Sequence, residues 1–399
     1  MVQLKIISKM FLFISMTQYC FASLPEKSFF NFRKNVSLAI TAEVKKNNFP
    51  PNIKIGLNTE KENPKNSYKI KYTLDQDLQK HADNLLSKYN PDYGAIFMIN
   101  AKTGEVLAMA SHQKLNPNAE NLNMKATFPA ASVFKVVTAT AAIDYAKFNP
   151  QQKIAFNGGN YTLYKKNVLS DKINRWTRFI TLKDAFAKSI NTAFGRLTME
   201  NIKPEVLADY ADRFLFNSNL ETDFGVERSV ANVPNEKGFE LTQVASGYNR
   251  NSTMSPVHGA MIAASIVNEG KMVTPYIVKS IQNDENENIY VGKPYFNEPV
   301  MTKASALKMK DMMEQTVLTG TSRKTFRQMI LDKRFKEIEM GGKTGHFSGT
   351  NPKGTNDWFV GYAEDGETKI AIAAITVNVK KWTVKSSALA QMMFKKYYE

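Results

Sequence analysis

With 399 residues, 43% of them hydrophobic, the chain is long enough for a sizeable core and two subdomains. Its one cysteine, Cys20, falls in an N-terminal segment expected to be removed, which excludes disulfide stapling and thiol chemistry from the mature chain. The formal charge of +16 is spread along the sequence and favours contact with anionic polymers or membrane surfaces. Expected export and the lack of a recognisable binding module exclude nucleic acid as a partner.

The first 22 residues carry the parts of a secretory signal: Lys5 and Lys9, an apolar stretch over 10–20, and Cys20-Phe21-Ala22 as a cleavage site. Ser15, Thr17 and Gln18 dilute that stretch, which is too short and too polar to span a bilayer well. Thr17-Gln18-Tyr19 is a poor prelude to a lipidated cysteine. Residues 23–66 are rich in Lys, Asn and Pro, with one apolar run at 36–40, and are expected to be an extended arm touching the main domain in one or two places.

From residue 67 to 399 the texture is that of a folded domain. Residues 70–74 alternate as a strand, and a helix capped by Asp75 is predicted to about residue 89. A hairpin follows, 95–99 and 105–109 around Asn100-Ala101-Lys102-Thr103-Gly104. Helices are predicted over 132–145, 181–200, 204–214, 256–268 and 302–317. Antiparallel strands at 357–362 and 369–377 turn through Glu364-Asp365-Gly366, and a helix over 386–398 would cover them with Leu389, Met392, Met393 and Tyr397. The expected class is α+β: an antiparallel sheet made from both ends of the domain, covered by N- and C-terminal helices, with a mainly helical insert at about 149–270.

Three blocks carry chemistry. Ser132 opens a helical run and Lys135, three residues on, shares its face. A lysine desolvated in a core can take the serine proton, and the charge-free run 136–143 gives such a core, although a capping serine with a surface lysine has the same spacing. Ser189-Ile190-Asn191 offers a proton relay and a substrate-binding amide, or an ordinary helix junction. In Gly342-Lys343-Thr344-Gly345, the lysine and threonine suit a carboxylate and Gly345 lets a substrate backbone approach; the alternative is a glycine-rich turn. It is not a phosphate-binding loop, which needs more glycine spacing and a strand-to-helix context. His81, His112 and His258 are scattered, and no metal or cofactor is expected.

Taken together with their flanks, Phe128-Pro129-Ala130-Ala131-Ser132-Val133-Phe134-Lys135, Ser189-Ile190-Asn191-Thr192-Ala193-Phe194 and Gly342-Lys343-Thr344-Gly345 before Trp358-Phe359-Val360-Gly361-Tyr362 resemble the transpeptidase domain of penicillin-binding proteins over roughly residues 67–399. The resemblance implies that Ser132 attacks the penultimate D-alanine carbonyl of a peptidoglycan stem peptide, with Lys135 as base and Ser189 and Lys343 passing the proton to the leaving amine. Asn191 would orient the substrate amide. Thr344, with Thr321 or Ser348, would meet the terminal carboxylate, and the amides of Ser132 and His346 would form the oxyanion hole. β-Lactams would acylate the same serine. His346 departs from the small hydroxyl residue usual at its position.

Residues 23–66 are too few for a glycosyltransferase module or a long pedestal, so a stand-alone catalytic domain is expected, with cell-wall synthesis proteins or diffusion bringing it to the wall. The enzymatic alternatives are a D,D-carboxypeptidase and a class D-like β-lactamase. A non-enzymatic β-lactam sensor is the reading from a different class.

Overall fold

In the computed structural model, residues 26–55 and 66–399 are described; the expected signal peptide lies outside the described residues. The chain enters through helix α1 (Glu26–Lys45) and pairs β1 (Asn52–Ile55) with β2 (Asn66–Tyr72). Helix α2 (Gln76–Tyr89) leads to the hairpin β3 (Tyr93–Asn100) and β4 (Val106–Gln113). The Asp75 carboxylate accepts from Leu78 N at 2.9 Å and so caps α2.

A helical block follows: α3 (Lys135–Thr140), α4 (Leu182–Ala187), α5 (Asn191–Asn201), α6 (Pro204–Arg213), α7 (Phe239–Ala245) and α8 (Pro256–Val267). Strands β5 (Val278–Gln282) and β6 (Asn288–Val291) complete a four-stranded sheet in the order β1-β2-β5-β6. Helices α9 (Lys303–Leu318) and α10 (Arg323–Leu331) precede the long strands β7 (Glu339–Thr350), β8 (Lys353–Glu364) and β9 (Lys369–Asn378), and α11 (Ser386–Tyr398) ends the chain.

The main sheet is five-stranded and antiparallel, in the order β7-β8-β9-β3-β4, so both ends of the domain build it as the sequence implies. Its pleat sorts side chains between two apolar layers. Ala371, Ala373, Ile375 and Val377 of β9 join Phe97 and Trp358 against the helical block. Ile370, Ile372 and Ala374 face the other way, into a layer shared with Leu78 and Leu85 of α2 and Leu389 and Met393 of α11. Helix α8 is buried at every position, consistent with a run that holds no charge apart from a neutral-leaning histidine, His258, pushed down to about 4 by burial.

Two sequence-based expectations differ from the structure. Residues 26–45 are helical rather than extended: Val36, Ile40 and Val44 recur every four residues and are buried, and Thr41 Oγ1 accepts from Gly225 N at 2.7 Å. A one-stripe helix of that kind is stabilised by the surface it covers more than by its own propensity, and that surface exists only after folding. The single helix expected over 181–200 is two, because Ser189 adopts φ +56° between α4 and α5. Among the described residues, no helix is long and apolar enough to cross a membrane.

Candidate active site

Ser132 stands where a short strand turns into helix. Phe128–Pro129 pairs with Thr253–Met254, Trp358 Nε1 donates to Pro129 O at 2.9 Å, and the Phe128 and Trp358 rings meet edge to face at 6.0 Å. A 3-10 turn (Ala131–Phe134) then runs directly into α3, leaving Ser132 half-buried at the electropositive end of the helical run. Ala131 takes φ +49°, and Gly247, at φ +66°, lies so close beneath that a Cβ there would fall 1.8 Å from Ala131 O. Only glycine fits both the conformation and the approach.

Lys135 is fully buried and has no carboxylate partner among the described residues. Its Nζ lies 2.8 Å from Ser132 Oγ, 2.7 Å from Asn191 Oδ1 and 2.5 Å from Ser246 O. A neutral amine has two N–H donors, for Asn191 and Ser246, and one lone pair, which can accept from the Ser132 hydroxyl. Burial, and then the neighbouring Lys343 ammonium, hold the Lys135 pKa well below the usual lysine range. Both push toward the basic form.

Asn191 opens α5 with its amide fixed at both ends. Its Oδ1 faces Lys135, while Nδ2 donates to Tyr161 O at 2.8 Å and its backbone N donates to Asn160 O at 2.8 Å. The positive-φ turn before it directs Ser189 Oγ to within 2.9 Å of Lys343 Nζ. Lys343 is also fully buried, on β7, and donates to Thr344 O at 2.9 Å. Burial pushes its pKa down to about 7.

Edge strand β7 closes the site. Gly345 approaches the Ser132 turn so tightly that a Cβ would lie 3.3 Å from both Ala131 Cβ and Val133 Cγ2. The alternating positions Thr344, His346 and Ser348 fall on the other face of the strand. Thr344 Oγ1 lies 2.6 Å from Thr321 Oγ1, and Thr321 N donates to Ala187 O at 3.1 Å, tying the turn after α9 to the end of α4. The His346 ring stacks on Trp382 at 5.1 Å and 9°, which covers one face and leaves the rest open to solvent, and its pKa is lowered by that partial burial and by Lys385. Ser348 is exposed and meets Arg250 through its carbonyl, at 3.2 Å, apart from the threonine pair.

Ser132, Lys135 and Asn191 therefore form one hydrogen-bonded group and Ser189 with Lys343 a second, with Thr344 and Thr321 beside them; the His346 ring is turned to Trp382, and Ser348 is met through its backbone carbonyl. Sequence reasoning missed Ser246, Gly247, Asn160 and Tyr161. Three of them act through backbone carbonyls, which leave no trace in side-chain identity. Gly247, just past the end of α7, is the one with a readable signal, since glycine is favoured there. No group of three or more metal-ligating side chains occurs among the described residues. His258 Nε2 instead lies 2.6 Å from Phe214 O inside the core.

A serine hydroxyl beside a buried, carboxylate-free lysine, between an antiparallel sheet and a helical block, marks a class of α+β proteins built around a serine–lysine pair. The chain belongs to the penicillin-binding protein transpeptidase domain family, whose model matches residues 94–399. It is similar to Stage V sporulation protein D of Bacillus subtilis (strain 168), 25% identical over 301 residues that cover 71% of this chain and 44% of that protein. It is also similar to the peptidoglycan D,D-transpeptidase PbpA of Mycobacterium tuberculosis (strain H37Rv), 24% identical over 326 residues, 73% of this chain and 63% of that protein. The chain spans about half the length of the curated relatives it matches. Among solved structures, the imipenem acyl-enzyme complex of penicillin-binding protein A from M. tuberculosis has the same fold, with a TM-score of 0.68 at 20% identity over 84% of this chain and 80% of that one.

Proposed function

We propose that the chain is a D,D-transpeptidase that acts on the D-Ala-D-Ala ends of peptidoglycan stem peptides through an acyl-enzyme on Ser132. The observation that carries this reading is the Lys135 amine, buried without a carboxylate and 2.8 Å from Ser132 Oγ. Ser132 Oγ attacks the penultimate D-alanine carbonyl as its proton passes to Lys135. Negative charge then builds on the carbonyl oxygen, facing the backbone amides of Ser132 and His346. Collapse breaks the C–N bond, and the terminal D-alanine leaves with a proton relayed through Ser189 and Lys343. Asn191 holds the substrate amide. The Lys343 ammonium attracts the terminal carboxylate, with Thr344 and Thr321 at its side. An acceptor stem-peptide amine then takes the acyl group from Ser132, and β-lactams stop the cycle by occupying the same oxygen.

Such a substrate lies outside the cytoplasm, which agrees with residues 1–22 acting as a signal peptide and with a periplasmic or other extracytoplasmic location. Other cell-wall synthesis proteins would be its partners there.

The test is twofold. Incubation with labelled benzylpenicillin followed by peptide mapping is expected to find the adduct on Ser132 and to show it persisting for many minutes; label on another residue, or rapid turnover as in a β-lactamase, refutes the reading. Peptidoglycan strands with pentapeptide stems are expected to yield D-alanine-linked dimers. Tetrapeptide monomers alone would make the enzyme a carboxypeptidase.

The two lysines need opposite protonation states, which sets a pH profile. Acylation by penicillin should fall above about pH 7 as Lys343 loses the charge that attracts the carboxylate, while the lowered pKa of Lys135 keeps its amine available as base at lower pH than an ordinary lysine. A bound carboxylate favours the Lys343 ammonium, so the falling limb should shift to higher pH at saturating substrate. Initial rates from pH 5 to 9 check this, and a profile with no falling limb would remove Lys343 from carboxylate binding.

A further inference from the structure

Strands Lys153–Phe156 and Arg178–Thr181 pair as a ribbon, and residues 157–177 between them form an excursion unlike the rest of the surface. In and beside it, Trp176 is 71% exposed, Ile173 69%, Tyr161 65%, Tyr164 57% and Phe179 56%. Exposed apolar side chains gathered in this way mark a binding surface. Lys165, Lys166, Lys172, Arg175 and Arg178 accompany them against the single acid Asp171, and the Arg175 guanidinium sits 4.7 Å from the Trp176 ring centre. Lys166 has no ion pair with a described residue. The surface thus fits an anionic partner.

A cavity within the excursion narrows the chemistry. We propose that the shallow cavity of about 300 Å3 bounded by Trp176, Lys166, Ser170 and the amides of Asn157, Asn167 and Asn174 is a saccharide subsite for a carboxylate-bearing glycan strand. The indole offers a flat apolar face for the C–H face of a sugar ring, and the amides and hydroxyl read its hydroxyl and acetamido groups. Lys166 meets a carboxylate. The Asn157 amide is already ordered, its Nδ2 donating to Lys172 O at 3.2 Å and its Oδ1 accepting from Thr177 Oγ1 at 2.9 Å. Asn174 Oδ1 accepts from Trp176 N at 2.8 Å, which orders the backbone that carries the indole lining the cavity and leaves Nδ2 for a ligand. A lipid surface fits this lining less well, because three amides would be drawn out of water with few partners.

The location supplies the purpose. The start of the same excursion holds Asn191 through Asn160 O and Tyr161 O, so a polymer lying along it passes the Ser132 site. This inference rests on the transpeptidase reading: the subsite would hold a peptide-free stretch of the glycan, where the lactyl carboxylates are not amidated, beside the stem peptide being acylated.

Titration of the full chain with peptide-free glycan strands, prepared from isolated peptidoglycan so that their lactyl carboxylates are free, tests it. Trp176→Ala and Lys166→Ala should each weaken binding roughly tenfold while leaving benzylpenicillin acylation of Ser132 unchanged. The unchanged acylation also shows that the variants are folded. No binding by the unaltered protein, or equal binding by both variants, overturns the proposal. So does Trp176-dependent binding to phosphatidylglycerol vesicles in place of the strands, which would assign the patch to a membrane. Strand binding that depends on both residues in a protein that penicillin fails to label would support the subsite and count against the transpeptidase reading alone.

Discussion

Lys135→Met is expected to lower the rate of Ser132 acylation by benzylpenicillin by roughly a thousandfold, the scale of a lost general base, and to leave the protein folded. Methionine fills much of the space of the lysine stem but cannot take the Ser132 proton or donate to Asn191 Oδ1 and Ser246 O. Stability should move the other way. The folded-state pKa of Lys135 is lowered, so the unfolded chain binds a proton that the folded chain binds poorly. The lysine therefore penalises folding most at low pH, and the penalty fades as pH rises toward the ordinary lysine value. Lys135→Met should gain most in Tm, relative to the unaltered protein, near pH 6, and the gain should shrink by about pH 10. Two acceptors lose a partner, which limits the gain without changing its pH dependence. Acylation rates and melting curves at both pH values check the pair of effects. Acylation at the unaltered rate would remove Lys135 from the chemistry.

Gly247→Ala should also slow acylation strongly while touching no reacting atom. The added carbon would fall 1.8 Å from Ala131 O, on a residue whose φ of +66° already disfavours a side chain. Neither neighbour is a flexible side chain that can step aside; the obstacle is the peptide joining Ala131 to Ser132. That peptide must shift, and a displacement of about 1 Å at a reacting group costs on the order of a hundredfold in rate. The same strain should destabilise the fold by about 3 kcal/mol, in the upper range for a single substitution. Urea unfolding and penicillin acylation measure the two effects. A variant matching the unaltered protein in both would mean that the backbone contact has slack.

Much of the architecture was legible because it depends on local pattern. The mostly apolar runs at 95–99, 105–109, 357–362 and 369–377, broken by turn residues, mark the strands of a sheet covered on both faces, and the charge-free stretches 136–143 and 256–267 mark helices that must be buried. The α+β class follows once the sheet segments are seen at the two ends of the domain. Less was legible where the deciding partner is distant. The apolar stripe of α1 is sparse among lysines and asparagines, and the break at Ser189 is set by the turn after α9 and by β7, 132 and 154 residues further on as Thr321 N meets Ala187 O and Lys343 Nζ meets Ser189 Oγ.

By itself the sequence determined which side chains are available for chemistry: a serine three residues before a lysine, a second serine before an asparagine, and a lysine among glycines, in an order and with flanks that resemble one family. It could not determine that both lysines lose all contact with water, because burial is a property of what packs around a residue and not of the residue. Nor could it reveal the partners that orient the Lys135 amine and the Asn191 amide, since the carbonyls of Ser246 and Tyr161 are the same group in every residue type. Tertiary structure decided those points. It brings segments 56 and 111 residues from Lys135 to within hydrogen-bond distance of one nitrogen, where desolvation turns an ordinary ammonium into a base.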